Sequence, residues 1–127
     1  MTFRPKLVLD FDGVVHSYTS GWKGADVVSD PPVPGALEFI RAAQEHFEVS
    51  IFSSRSNQAG GAIAMGEWLH LHMLHVWGPD EASRVFNDIA WPFEKPAAFV
   101  TIDDRALTFD GTWPSLESLK AFKPWNR

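Results

Sequence analysis

The chain has 127 residues, a length that suits one domain spanning 1–127, so any site must be built within one core or at a subunit contact. A net charge of −5, 45% hydrophobic residues, ten Phe and six Trp indicate a folded chain, and the absence of a basic stripe argues against extended nucleic acid as a partner. Cysteine is absent, which excludes disulfides, thiolate zinc sites and cysteine nucleophiles. No apolar run approaches the ~20 residues of a membrane span, so a soluble, cytoplasmic protein with no membrane partner is expected.

Residues 6–11 (KLVLDF) form an apolar run too brief for a helix and ended by Asp-Gly, which predicts a buried strand with its chemistry exposed at the far end. Residues 14–34 mix aromatic and β-branched residues with Gly and Pro, the composition of a hairpin or loop lying over the surface as a flap. From Pro34 to Phe47, the residues Leu37, Ile40, Ala43 and Phe47 recur at helical spacing and predict a crossover helix with Pro34 in its first turn. Residues 48–52 (EVSIF) return as a second strand that stops at Ser53-Ser54-Arg55. Residues 57–74 open with small residues and turn apolar at Trp68, Leu69 and Leu71, which predicts a second helix.

Residues 83–89 (SRVFNDI) are expected to form a short third strand, and 97–102 (AAFVTI) a strongly apolar further one before Asp103-Asp104. Residues 116–122 supply a last short helix. Alternating strands and helices predict an α/β fold, with three Rossmann-like layers around a central parallel sheet and right-handed crossovers. No internal repeat or low-complexity tract interrupts it.

In such sheets ligands bind beyond the carboxyl ends of the strands, where Asp10-Phe11-Asp12, Ser53-Ser54-Arg55 and Asp103-Asp104-Arg105 are expected to converge. Carboxylates two residues apart at a strand end can point the same way, and a like-charged pair in a low-dielectric cleft is costly unless a cation joins it. Adding Asp103 and Asp104 makes an all-oxygen set suited to Mg²⁺.

The stretch Leu7 to Val14 (LVLDFDGV) resembles the first motif of the haloacid dehalogenase-like hydrolases, an apolar strand ending in D-x-D-G. Ser53 after VSIF resembles their second motif, Lys95 before Pro96 the third, and VTIDD ending at Asp104 the fourth, so the resemblance spans residues 7–104 in the right order. It implies a magnesium-dependent phosphohydrolase of the small, capless type. Asp10 would attack phosphorus and become an aspartyl-phosphate, while Asp12 would protonate the leaving oxygen and then activate water. Ser53 and Lys95 would stabilise the phosphoryl group, with Ser54 as the alternative to Ser53. Gly13, Ser54 and Arg55 are the expected substrate-binding residues. The metal would be held by the Asp10 carboxylate, the Asp12 main-chain carbonyl and the acidic pair, with Asp104 as direct ligand and Asp103 orienting Lys95 or a metal-bound water.

The chain departs from that pattern in carrying Val14 where many relatives have Thr, in the short distance from Lys95 to Asp103, and in having no stretch long enough for a cap. The expected substrate is a small phosphorylated compound, a nucleotide or another phosphomonoester. The open site leaves room for a larger one or for a second subunit of a homo-oligomer. Two rivals remain: a receiver-like phospho-acceptor module and a catalytically silent binding protein of the same fold. Receivers place the acidic pair first, whereas here D-x-D leads.

His70, His72 and His75 suggest zinc, but on a helix only His72 and His75 share a face, and ordinary helix positions are expected. In the flap, Trp22 and Lys23 can contact a leaving group, or Trp22 can pin the flap to the core. The other five Trp read as packing residues, and Arg55 and Arg105 as solvated or structural, with contact to a substrate anion the alternative for Arg55.

Overall fold

A strand of three consecutive apolar residues must be covered on both faces, and Leu7, Val8 and Leu9 are all buried. They lie in β1 (Lys6–Leu9), the central strand of a three-stranded parallel sheet of order β2-β1-β3 in the computed structural model, which describes residues 3–127. The flanking strands are β2 (Glu48–Ile51) and β3 (Val100–Ile102). Leu9 is level with Ile51 on one side and with Ile102 on the other. That register makes Asp10, Phe52 and Asp103 leave the sheet along one rim.

Among the described residues four helices complete the α/β fold: α1 (Ala36–Ala43), α2 (Gly61–Trp77), α3 (Pro79–Asn87) and α4 (Leu116–Lys120). In α1, Leu37, Ile40 and Ala43 form the buried stripe that the spacing predicts, but the helix starts two residues after Pro34 because Gly35 has φ of 85°. α2 buries Met65, Leu69 and Met73 and begins later than position 57, since residues 53–61 are spent in successive turns. At its first residue, Gly61, any side chain would overlap the Arg55 carbonyl.

The strand expected over 83–89 is absent; most of that segment is the second half of α3. Pro79 stands at the start of the helix, Asp80 and Glu81 occupy its first turn, and Ala82 and Val85 are buried one turn apart. Arg84 Nε donates to Glu81 Oε1 at 2.6 Å across a further helical spacing. Only Ala90 reaches the sheet, as a single parallel bridge to Ser50 on the outer edge of β2.

The apolar segment 97–102 also differs from expectation. Its strand starts at Val100 and is an exposed edge, with Val100 44% and Ile102 39% accessible. Apolar composition there reflects an uncovered strand rather than a core one. The core is built on β1 and β2, where Leu7, Leu9, Phe11, Ile40, Val49, Ile51, Leu69 and Val85 pack together without a residue of β3. Among the described residues no helix is long and apolar enough to cross a membrane.

Residues 14–34 form an irregular flap whose arms run side by side. Ser17 N–H donates to Pro31 O and Val33 N–H to Val15 O, both at 2.9 Å. Trp68 of α2 fastens the returning arm by donating Nε1–H to Asp30 O at 2.9 Å.

Candidate active site

The site grows from the residue that follows β1. Asp10 N–H donates to Ile102 O at 2.9 Å, the last rung toward β3. The chain then makes one tight turn, in which the amides of Val14, Val15 and His16 all donate to Phe11 O at 3.2, 2.9 and 2.9 Å. Phe11 is fully buried and anchors the turn between Asp10 and Asp12. Gly13 has φ of 82°, and a Cβ there would overlap the Asp104 carboxylate, so glycine is required both by the turn and by the acidic group beside it.

Asp10, Asp103 and Asp104 each bring a carboxylate oxygen within 4.8 Å of the others. Burial, a hydrogen bond with Asp104 and the charge of Asp103 push the Asp10 carboxyl up to about 8, with the Phe11 amide opposing. Asp104 Oδ1 is buried without a hydrogen-bond partner, whereas Asp103 Oδ1 accepts from Arg105 N–H at 2.7 Å. Three crowded carboxylates and an unpartnered buried oxygen fit a hard divalent cation, which would satisfy the oxygen and return Asp10 to its ionised form.

The Asp12 carboxylate is not in that group. Its Oδ1 accepts from His16 Nδ1 at 2.9 Å and its Oδ2 from Arg55 Nε at 2.8 Å. Burial pushes its carboxyl upward, but the hydrogen bonds from His16 and Arg55 and the Arg55 charge outweigh that and hold it below the usual carboxylate range. The metal role expected of Asp12 is one for its main-chain carbonyl, and its carboxylate stands apart from the acidic group.

After β2 the chain turns sharply: Ser56 Oγ accepts from Ser53 N–H at 3.0 Å, and Ser53 Oγ accepts from Arg55 N–H at 3.1 Å. Ser53 is buried, Ser54 is exposed, and both line two adjoining clefts that share Asp10. One, of about 320 Å³, is bounded by Lys95, Thr101 and Asp103; the other, of about 200 Å³, by Asp12, Tyr18, Trp22 and Asp104. Lys95 is thus brought to the Asp10 rim from the loop before β3.

Of the two roles expected of Arg55, its position is that of the structural one and not of a substrate-binding residue. It is 0% exposed and lines neither cleft. Besides Asp12 it donates Nη1–H to the carbonyls of Gly24, Ala25 and Val27 at 2.9, 2.9 and 3.0 Å, so it ties the flap to the turn that carries Asp12. Arg105, read as solvated or structural, lines both clefts. Trp22 is 49% exposed, lines the second cleft and stacks over the Arg55 guanidinium at 4.8 Å, so it both pins the flap and faces the site.

His70 stacks on Phe86 and His72 meets Trp68 edge-on, and no histidine joins a metal-holding group among the described residues. Trp113 and Trp125 are largely exposed instead of packed; Trp125 donates Nε1–H to Gly13 O at 2.7 Å. Sequence reasoning missed His16, Asp30 and Tyr18. His16 stands four residues after Asp12, and Tyr18 has φ of 61°, a backbone conformation that no residue-type signal announces.

Comparison with family models, with curated proteins and with solved structures finds no match to this chain.

Proposed function

We propose that the chain is a Mg²⁺-dependent phosphohydrolase of the haloacid dehalogenase type, cleaving a small phosphomonoester through an aspartyl-phosphate on Asp10. The observation that carries the proposal is the meeting of Asp10, Asp103 and Asp104 at one rim of the sheet, with Ser53 and Lys95 on the same cleft. The central position of β1 and the parallel order β2-β1-β3 also support it, and the three-layer Rossmann-like arrangement is part of the same proposal.

An Asp10 oxygen attacks phosphorus while the bond to the leaving oxygen breaks and Asp12 gives that oxygen its proton. Water then attacks the phosphorus of the aspartyl-phosphate, Asp12 takes up the proton, and Asp10 and inorganic phosphate are released. Asp12 ionised in the free site suits the second step. For the first, the negative charge of an arriving phosphoryl group raises its proton affinity. Ser53 donates a hydrogen bond and Lys95 supplies positive charge to the phosphoryl oxygens. Mg²⁺, held by Asp10, Asp104 and the Asp12 carbonyl, would supply charge neutralisation for Asp10 and the phosphoryl group.

The test compares wild type with Asp10→Asn on an aryl phosphate with Mg²⁺. Turnover is expected to vanish in the variant while its circular dichroism is unchanged, and activity retained by Asp10→Asn rejects the mechanism. The engagement of both Asp12 oxygens by His16 and Arg55 favours a second reading, a catalytically silent binding protein, which wild-type turnover excludes. A phosphoenzyme stable for many minutes would indicate a receiver-like module.

A further inference from the structure

The proposed chemistry leaves three buried ionisable side chains, His16, Asp30 and Arg55, without a step of their own, and of these His16 is the imidazole, set among aromatic rings. His16 is 1% exposed, stacked on Phe11 with ring centroids 5.4 Å apart and met edge-on by Trp68 at 5.3 Å. An imidazole placed among aromatic rings needs hydrogen-bond partners for both nitrogens, and His16 has them. Its Nε2 accepts from the backbone N–H of Asp30 at 3.1 Å, and its Nδ1 is 2.9 Å from Asp12 Oδ1.

A backbone amide only donates, so Nε2 must be the unprotonated nitrogen. The single ring proton then sits on Nδ1 and is donated to Asp12. With Arg55 Nε on the other oxygen at 2.8 Å, the plane of the Asp12 carboxylate is set from two sides, and each support is rooted in the flap. Arg55 is fixed by the carbonyls of Gly24, Ala25 and Val27, and His16 by Asp30. Asp30 is itself held, through its carbonyl by Trp68 and through its carboxylate by the Ser20 amide and hydroxyl. A carboxylate oxygen has two acceptor directions, so each Asp12 oxygen keeps one free after these bonds.

We propose that His16 is a positioning residue: as the Nδ1–H tautomer it holds Asp12 in the orientation that aims the remaining oxygen position, the one that carries the proton in the first step, at the leaving group, and it ties that orientation to the seating of the flap. This rests on the phosphatase reading above. It assigns His16 no contact with substrate and no proton transfer of its own.

The experiment follows the first half-reaction by single turnover, using p-nitrophenyl phosphate, whose leaving group needs little protonation, and an alkyl phosphate, whose leaving group needs it fully. His16→Ala is expected to slow the alkyl phosphate about 100-fold, the scale of one general-acid contribution, with KM little changed and a much smaller loss on the aryl phosphate. His16→Asn, whose amide N–H takes the place of Nδ1–H, is expected to recover most of the alkyl rate. His16→Gln, whose amide reaches the Nε2 position, is not. Equal losses on both substrates, or a Gln variant as active as Asn, overturn the positioning role and leave His16 as packing. Should the Ala variant fail to fold, the Asn and Gln pair still decides, together with ¹⁵N spectra of wild type, in which a proton on Nε2 overturns the tautomer. Absence of wild-type turnover on both phosphates sinks the phosphatase reading itself, a result distinct from an active wild type that His16→Ala leaves unchanged.

Discussion

Asp10 shows what the fold does to a single residue. Its carboxyl is pushed from 3.8 up to about 8 by burial, by the hydrogen bond with Asp104 and by the charge of Asp103. The folded chain therefore keeps a proton that the unfolded chain loses above its ordinary value. Stability from this group is complete below about pH 4 and is lost as pH rises through about 8. In the presence of a chelator, the melting temperature is expected to fall between pH 5 and pH 8.5, and Asp10→Asn is expected to flatten that slope. A slope unchanged by the substitution would assign the effect to another group. Asp12 acts in the opposite sense: its carboxyl is held below the ordinary range, so its contribution is present above that range and lost on acidification. Two aspartates separated only by Phe11 thus carry opposite perturbations, because one faces carboxylates and the other faces His16 and Arg55.

At the scale of elements, the flap depends on a side chain outside it. Arg55, in the turn between β2 and α2, pairs with Asp12 and with three flap carbonyls while fully buried. Arg55→Met removes the cation and leaves Asp12 and those carbonyls short of partners. Breaking a buried pair in this way costs about 3–5 kcal/mol, so a marked drop in the urea midpoint is expected, with the flap becoming the first site of limited proteolysis. A midpoint within experimental error of wild type would show that the pair contributes little. The same element explains what the sequence conceals. Strand ends carrying Asp10, Ser53 and Asp103 are legible because apolar runs stop abruptly at polar residues. The helix over Pro79–Asn87 is not, because Val85, Phe86 and Ile89 weigh as strand formers while its stabilising features, Pro79 at the start and the Glu81 to Arg84 pair, are local and polar. Arg55 and His16 are illegible for a different reason: their partners lie in a loop with no periodicity, so only folding brings Gly24, Ala25, Val27 and Asp30 to them.

Across the whole molecule, β3 is the weakly held side. It pairs only with β1, its residues are exposed, and none of them joins the core built on the other two strands. Yet it ends in Asp103 and Asp104, two of the three carboxylates in the acidic group. A divalent cation bound there would bridge the end of the central strand to the end of the edge strand and so couple a marginal element to the core. Binding must also expel the proton held by Asp10, so apparent affinity rises with pH up to about 8. Stabilisation follows the ligand's occupancy of the folded state and reaches about 2.7 kcal/mol at a hundredfold excess over Kd. Mg²⁺ is therefore expected to raise the melting temperature more at pH 8 than at pH 6. In hydrogen exchange it should protect the Asp10 amide, which donates to Ile102 O, and the Phe99 amide, which donates to Lys6 O, more than the amides between β1 and β2. Asp104→Asn should remove both effects. Uniform protection across the sheet, or a Mg²⁺ effect that survives Asp104→Asn, would mean that the acidic group does not hold the ion between the two strands.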